Sequence, residues 1–213
     1  MKYCEELNGN FFEFYTKEML FSPKHIDKGT RLLLEELSLK KDDKVLDIGC
    51  GYGVIGIYCA KIIPPQNVFM CDISSHAICC AKKNIVVNNV KDVNVVLSDG
   101  LNKIKDNDFT IIISNPPYHT DFSVAKHFIE DSFYKLRLEG KIYLVTKRKD
   151  WYKNKLISVF GGVKILEKDD YYIFCSEKRS NKPCYKSKRK EKNKPTLSKK
   201  LRRKIKNEKN TSI

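Results

Sequence analysis

The sequence lacks several features by which whole classes of protein are recognised. Its 213 residues contain no apolar run close to the roughly 20 residues that a helix needs to cross a bilayer. Residues 1–10 are polar and include Glu5 and Glu6, so they do not resemble a secretory signal peptide. No internal repeat is present, and no two cysteines have the C-x-x-C spacing of a zinc or redox site. We therefore expect neither a membrane protein nor a metal site.

Cysteine is common in this chain, with eight residues, but its pattern does not suggest a disulfide scaffold. Cys59, Cys71 and Cys175 each follow apolar residues, which favours thiols that are buried and reduced. Reduced thiols of this kind persist inside cells, where disulfides are rare. We therefore expect a cytoplasmic protein.

The net charge of +15 is distributed unevenly. Residues 178–213 contain 16 of the 41 Lys and Arg residues but only 2 of the 26 acidic residues, which leaves 25 basic and 24 acidic residues in the remainder. The segment 178–213 also has almost no aromatic residues, so it cannot bury enough apolar surface to fold alone. Three parts are predicted: a short N-terminal extension at 1–20, a nearly neutral folded domain at 21–177 and a basic, disordered tail at 178–213.

Short apolar runs typical of buried strands alternate with segments of helical periodicity from residue 44 onward. The strands are predicted at 45–48, 68–71, 93–97, 109–113, 141–146, 163–166 and 171–176, and helices at 54–62, 75–88, 122–136 and 151–160. A further helix, rich in Leu, follows Asp27, which is a plausible N-cap. The alternation predicts an α/β fold with a mostly parallel sheet and helices on both faces. In such sheets, ligands bind beyond the carboxyl ends of the strands.

A glycine-rich loop, D-I-G-C-G-Y-G at residues 47–53, follows the first of these strands. Glycines let the backbone turn sharply and approach a ligand closely. Asp72, at the end of the second strand, can accept hydrogen bonds from both hydroxyls of a ribose, and Asp99 with Gly100 ends the third strand, where an adenine amino group could be met. The sequence thus predicts a nucleoside-type cofactor at this edge of the sheet.

The same glycines formally fit the dinucleotide fingerprint G-x-G-x-x-G, through Gly51, Gly53 and Gly56. Asp47 argues against that interpretation, because a carboxylate in the last turn of the strand would repel a pyrophosphate. It suits a cofactor that carries an ammonium and a sulfonium group. S-adenosylmethionine is therefore favoured over NAD.

The fourth strand ends in S-N-P-P-Y-H at residues 114–119, the most specific pattern in the chain. The Asn115 side-chain oxygen and the Pro116 carbonyl can accept hydrogen bonds from the two N–H groups of an amine, which favours the tetrahedral geometry that the amine needs to attack a methyl group. Pro117 stiffens the loop, since proline fixes its own backbone dihedral. Tyr118 can stack on a planar base. The loop thus predicts transfer of a methyl group to an amino nitrogen.

These motifs, in this order and spacing, resemble the class I S-adenosylmethionine-dependent methyltransferases. The opening at Phe21 and Ser22, followed by Asp27, Gly29 and Thr30 and then the Leu-rich helix, is similar to the small-subunit ribosomal RNA guanine-N2 methyltransferases, the methyltransferase small domain family. The resemblance covers about residues 21–177. Many members carry a second, degenerate domain in front. Only about 20 residues precede the match in this sequence, so we expect the single-domain form.

The resemblance implies a Rossmann-like, seven-stranded, mostly parallel sheet with helices on both faces and its last strand antiparallel. It implies S-adenosylmethionine as cofactor, the exocyclic amine of a guanine in RNA as target, and RNA, notably ribosomal RNA, as partner. The catalytic loop would consist of Asn115, Pro116, Pro117 and Tyr118. The cofactor-binding residues would be Asp27, Thr30, Asp47, Gly49, Cys50, Gly51, Gly53, Asp72, Ile73, Asp99, Gly100 and Asn115.

Three other functions use a similar pattern. Glutamine-N5 methylation of release factors relies on the same Asn-Pro-Pro-Tyr chemistry, but those enzymes carry a helical substrate domain in front. Adenine-N6 methylation is a further alternative. A non-enzymatic RNA-binding assembly factor on the same scaffold is disfavoured by intact Asp47, Asp72 and Asn115.

The basic tail could bind an RNA backbone, an acidic protein or a nuclear import receptor.

Overall fold

Nine strands and five α-helices follow one another within residues 1–117 and 122–184, the parts of the chain that the computed structural model describes. The strands are β1 (Lys2–Leu7), β2 (Asn10–Tyr15), β3 (Val45–Ile48), β4 (Val68–Asp72), β5 (Asn94–Leu97), β6 (Phe109–Ser114), β7 (Leu136–Thr146), β8 (Lys164–Lys168) and β9 (Tyr171–Glu177). The helices are α1 (Lys28–Glu35), α2 (Val54–Ile62), α3 (Ser75–Val87), α4 (Phe122–Lys135) and α5 (Lys149–Phe160). Each element predicted between residues 44 and 177 is present.

Seven strands form one sheet in the order β5-β4-β3-β6-β7-β9-β8. The first five strands of that order pair in parallel, whereas β9 is antiparallel to both of its neighbours, β7 and β8. The predicted seven-stranded sheet with an antiparallel last strand is therefore confirmed. All five parallel strands end at the same edge of the sheet, which is where the predicted motifs lie.

Both faces of the sheet are covered, and this explains why every residue of its central strands β3 and β6 is buried. On β3, Val45 belongs to the core beneath α1, α2 and α3, while the next residue, Leu46, belongs to the core beneath α4 and α5. On β6, Ile111 and Ile113 face the first core and Ile112 the second. This alternation follows from the two-residue repeat of a strand.

One strand is longer than the sequence predicts. β7 begins at Leu136 rather than at residue 141, and Leu136 already pairs with Phe109 before a register irregularity between Phe109 and Ile111. A side chain at Gly140 would lie 2.8 Å from the Phe109 carbonyl oxygen, so only glycine allows the two strands to approach this closely.

The N-terminal extension is a folded hairpin. β1 and β2 pair in antiparallel register around a turn at Asn8 and Gly9, both of which have positive φ, as the tight turns of hairpins require. Leu7, Phe12 and Phe14 are buried in the first core. Residues 1–20 were predicted only as a short extension, but the pattern Asn-Gly between alternating apolar residues is a hairpin signal.

Two asparagines of α3 attach this hairpin to the domain. Asn84 is fully buried, and its amide accepts from the Tyr15 N–H at 2.7 Å and donates to the Tyr15 and Tyr52 carbonyl oxygens at 2.9 Å each. Asn88, one turn later, bonds in the same way to the N–H and carbonyl of Glu13. The two amides thus pair with the free edge of β2 as a neighbouring strand would.

The folded part also continues beyond the predicted boundary at residue 177. Lys178 is buried, and its ammonium group donates to the Leu136 carbonyl oxygen at 2.6 Å. The Cys184 N–H donates to the Val159 carbonyl oxygen at 3.1 Å. Residues 178–184 therefore belong to the domain, whereas 185–213, the rest of the predicted tail, lie outside the described residues.

No helix in the described ranges is long and apolar enough to span a bilayer. Among the same residues, no three or more His, Cys, Asp or Glu side chains converge in an arrangement that could hold a metal ion. All eight cysteines are free, and Cys59 and Cys71 are buried as predicted, whereas Cys175 is half-buried.

The role of Asn84 leads to a prediction about stability. The substitution Asn84→Ala leaves the N–H and carbonyl of Tyr15 and the carbonyl of Tyr52 without their partner. We expect the free energy of unfolding, measured by urea denaturation, to fall by about 2–3 kcal/mol, the cost of unpaired buried polar groups. The control Asn94→Ala removes an exposed amide and should change stability by less than about 0.5 kcal/mol. Equal stability of the two variants would contradict this role.

Candidate active site

A cavity of about 500 Å³ opens at the carboxyl ends of β3, β4, β5 and β6. Its walls come from the loops that follow these strands, from the segment before α1, and from α4. Ligands bind at this position in open α/β sheets. The cavity is also of the size that small-molecule sites usually have.

The glycine loop after β3 forms one wall. Gly49, Gly51 and Gly53 all have positive φ, a conformation that side chains disfavour. The N–H groups of Gly49 and Cys50 both donate to the Cys71 carbonyl oxygen, at 2.8 and 3.0 Å. The loop is therefore anchored to the end of β4, and Gly53 is the N-cap of α2.

Asp72 at the end of β4 connects two loops of the cavity. One carboxylate oxygen accepts from the Gly51 N–H at 2.9 Å, and the other accepts from the Ser74 N–H at 2.8 Å. Asp72 also lines the cavity. Each oxygen has a second lone pair available, so the carboxylate can hold the loops in place and still accept from a ligand.

Asp47 lies beneath the glycine loop and does not line the cavity. One of its oxygens accepts from the Gly56 N–H at 3.0 Å, and the other is buried without a hydrogen-bond partner among the described residues. Burial raises the pKa of Asp47 to about 7, with a smaller contribution from the negative charge of Asp72. A positively charged ligand in the cavity would stabilise the ionised form.

The opposite wall combines polar and apolar groups. Asp99 and Gly100 follow β5, and Ile73 follows β4 with 69% of its surface exposed. Phe128 of α4 lies so close to Gly49 that a side chain there would contact its ring at 3.6 Å. Ile73 and Phe128 together offer apolar contact to a planar ring.

Asn115, at the end of β6, is held by the first turn of α1. Its side-chain nitrogen donates to an Asp27 carboxylate oxygen and to the Thr30 hydroxyl oxygen, both at 2.9 Å. The same Asp27 oxygen accepts from the Thr30 N–H at 3.0 Å and so caps the helix, as predicted. Because two acceptors hold the nitrogen, the amide orientation is determined. The Asn115 side-chain oxygen remains buried without a partner among the residues described.

Most of the predicted site residues therefore surround one cavity. Those that line it are Asp27, Thr30, Gly49, Cys50, Gly51, Asp72, Ile73, Asp99, Gly100, Asn115, Pro116 and Pro117. Asp47 and Gly53 support the loop from behind, and Tyr118 lies outside the described residues.

Some lining residues were missed by the sequence argument. Met19 and Leu20 precede the predicted match and line the mouth of the cavity with Phe21. Tyr52 brings this segment to the glycine loop, because its hydroxyl donates to the Ser22 carbonyl oxygen at 3.0 Å and lies 2.8 Å from the Tyr3 hydroxyl. These contacts join residues distant in sequence, so no local sequence pattern predicts them.

Comparison with known proteins identifies the family. The sequence profile described as "Methyltransferase small domain" matches residues 12–175. The ribosomal RNA small subunit methyltransferase C of Psychromonas ingrahamii is 34% identical over 174 residues, which are 80% of this chain and 49% of that protein. The uncharacterized protein YbxB of Bacillus subtilis is 28% identical over 178 residues, which are 81% of this chain and 89% of that protein. The chain thus spans about half the length of the former and most of the latter.

The fold has close counterparts among solved structures. The T. thermophilus 16S rRNA N2 G1207 methyltransferase in complex with AdoMet and guanosine superposes with a TM-score of 0.77 at 24% identity, over 84% of this chain and 50% of that one. TrmN from Thermus thermophilus gives a TM-score of 0.59 at 19% identity, over 70% and 47%. These likenesses show the shared fold, and the profile covers most of the chain. This protein belongs to the methyltransferase small domain family.

Proposed function

We propose that this protein is an S-adenosylmethionine-dependent methyltransferase that methylates the exocyclic amine, N2, of a guanine in RNA. The observation that carries the proposal is the position of Asn115. Asp27 and Thr30 hold its nitrogen, and its oxygen remains without a partner in the described structure beside a glycine-loop cavity. This is an acceptor oriented for an amine before the amine arrives. A cytoplasmic location fits such a substrate.

The residues of the cavity fit the proposed cofactor. Asp72 is the acceptor for the ribose hydroxyls, and Asp99 for an adenine amino group, with Ile73 and Phe128 against the ring. The buried charge of Asp47 has no cationic partner among the described residues, and the ammonium and sulfonium groups would compensate it. Bound S-adenosylmethionine supplies an electrophilic methyl group.

The catalytic loop acts on the amine. The Asn115 side-chain oxygen and the Pro116 carbonyl accept hydrogen bonds from its two N–H groups, which directs the nitrogen lone pair away from the base plane. The cofactor that Asp72 and Asp99 would hold would supply the methyl group to this nitrogen, and the nitrogen would lose one proton to solvent. Acceptors that are fixed in advance stabilise the positive charge that develops on nitrogen without reorganisation. Tyr118, the predicted stacking residue, lies outside the described residues.

The choice of RNA guanine rests on the relatives. The first relative is named as a ribosomal RNA small subunit methyltransferase, and the T. thermophilus enzyme is described in complex with guanosine. Glutamine-N5 methylation would use the same acceptors on an amide nitrogen. Transfer of labelled methyl from S-adenosylmethionine to total RNA and, separately, to total protein, followed by nucleoside analysis, tests the proposal. Label in protein alone, or in adenine rather than guanine, would overturn it.

The role of the basic tail as an RNA tether stays a prediction. The antiparallel β9 ends at Glu177, so the chain leaves the sheet at the edge opposite the cavity.

The first prediction of this proposal concerns the cofactor. Asp72→Ala removes a charged acceptor worth about 1.5–3 kcal/mol and also releases Gly51 and Ser74. We expect calorimetric affinity for S-adenosylmethionine to fall at least ten-fold, while Asp72→Asn, which keeps one acceptor oxygen, should fall less. Asp92→Ala, an exposed residue before β5, is the control with the same charge change. Unchanged affinity, or tighter binding of NAD, would contradict the assignment.

The second prediction separates chemistry from cofactor binding. Asn115→Ala should lower methyl transfer about 100-fold or more, as is usual when one fixed polar group is lost, while cofactor affinity stays within a few-fold. Thr30→Val keeps the side-chain shape but removes one of the two acceptors that orient Asn115, so its kcat should fall to an intermediate value. Single-turnover rates would measure both effects. A fully active Asn115→Ala variant would show that the catalytic assignment is wrong.

A further inference from the structure

Three consecutive cations follow the end of β7, at residues 147–149, and each lies over an aromatic ring. The Lys147 ammonium lies 4.8 Å from the centre of the Tyr171 ring, and the Arg148 guanidinium lies 4.9 Å from that of Phe122. The Lys149 ammonium lies 4.9 Å from the Tyr172 ring. We call this group the 147–149 segment.

The 147–149 segment lies at the same edge of the sheet as the catalytic loop. β7 is the parallel neighbour of β6, and Ser114, the residue before Asn115, pairs with Leu144. The Tyr171 ring packs against Gly29, where a side chain would come within 2.6 Å of it. Gly29 lies between Asp27 and Thr30, the two residues that hold Asn115. The Tyr171 ring and the first turn of α1 therefore link Lys147 to the side-chain amide of Asn115.

The acidic residues of this edge do not neutralise all of its cations. Glu167 pairs with Lys149 at 2.9 Å, and Asp169 pairs with Lys28 at 3.3 Å. Lys147 and Arg148 are exposed, and Lys147 is in no ion pair with any residue that the structure describes. Lys147 thus keeps an exposed ammonium at this edge, although the carboxylates of Asp150 and Asp170 are exposed there as well.

The aromatic rings hold these cations in place. Phe122, beneath Arg148, is itself stacked on Trp151 at 4.4 Å with an interplanar angle of 12°. The N–H groups of a guanidinium lie in its own plane, so a contact of one face with a ring leaves them able to bind a phosphate. Cation–π contact also reduces the rotamer freedom that a flexible side chain would lose on binding. Exposed cations that are already ordered are suited to a polyanion.

We propose that Lys147 and Arg148 bind backbone phosphates of the RNA next to the target nucleotide. This inference rests on the proposed function and names the part of the domain that positions the substrate. Phosphate contacts fix the register of a protein on nucleic acid and carry no base information. The choice of base is left to the cavity, and the segment holds the neighbouring backbone.

The test is a double variant, Lys147→Gln with Arg148→Gln, which keeps side-chain length and removes two charges. The probe is small-subunit ribosomal RNA transcribed in vitro, with binding followed by fluorescence anisotropy at increasing KCl and methyl transfer measured in parallel. We expect the Kd and the KM for RNA to rise ten-fold or more. The negative slope of the logarithm of the association constant against log salt should become less steep by about 1.4–1.8, the contribution of two phosphates. The kcat at saturating RNA and the affinity for S-adenosylmethionine should stay within two-fold.

The matched control is Lys40→Gln with Lys91→Gln. Both lysines are exposed and precede β3 and β5, at the opposite edge of the sheet, so this variant removes the same charge far from the cavity. Its RNA binding should remain that of the unmodified protein. An equal loss in the control would assign the effect to net charge and overturn the inference.

The two proposals fail in different ways. If RNA is methylated but the double variant binds it with unchanged affinity and salt slope, the phosphate role of the 147–149 segment is wrong and the proposed function stands. If the unmodified protein transfers methyl groups to protein and not to RNA, the proposed function fails, and this inference fails with it.

Discussion

The side-chain amide of Asn115 joins parts of the chain that are 88 and 85 residues apart, at Asp27 and Thr30. One Asp27 oxygen both caps α1 and accepts from Asn115, so the amide is oriented only when the helix is formed and seated. Tyr171 of β9 fixes the position of α1, because its ring packs against Gly29 and leaves no room for a side chain there. The orientation of Asn115 thus depends on an element before the sheet and on the last strand of the sheet.

The two carboxylates that accept hydrogen bonds around the glycine loop, Asp72 and Asp47, have opposite environments. Asp72 accepts two backbone N–H groups and faces the cavity, whereas Asp47 is buried with one oxygen unpaired in the described structure, which raises its pKa to about 7. A buried charge without a partner destabilises the fold unless a ligand compensates it. Negative charge at this loop disfavours a pyrophosphate and favours a cation, so the electrostatics separate two cofactors whose glycine patterns are alike.

The sequence predicted the sheet and the site loops because both depend on local signals: apolar runs broken by Gly, Asp and Pro at the strand ends. It could not predict contacts that join distant residues. In the sequence, Asn84 is one polar residue within a predicted helix. In the structure, its buried amide pairs with the edge of β2. Nor could the sequence predict that the bond from the Gly56 N–H holds Asp47 under the loop and away from the lining of the cavity. The hairpin of β1 and β2 was not predicted, although Asn8 and Gly9 form a typical hairpin turn sequence.

The direction of β9 determines which positive charge is near the site. Because β9 is antiparallel, the chain reaches Lys178 at the edge opposite the cavity, and residues up to Cys184 still contact α5 and its neighbours there. The basic stretch therefore begins at the far end of the domain. Exposed charges act strongly only within about 8 Å, the Debye length at physiological salt, so the side chains at the cavity edge itself matter most there. Lys147 and Arg148 are carried there by β7, at the opposite end of the sheet from Lys178.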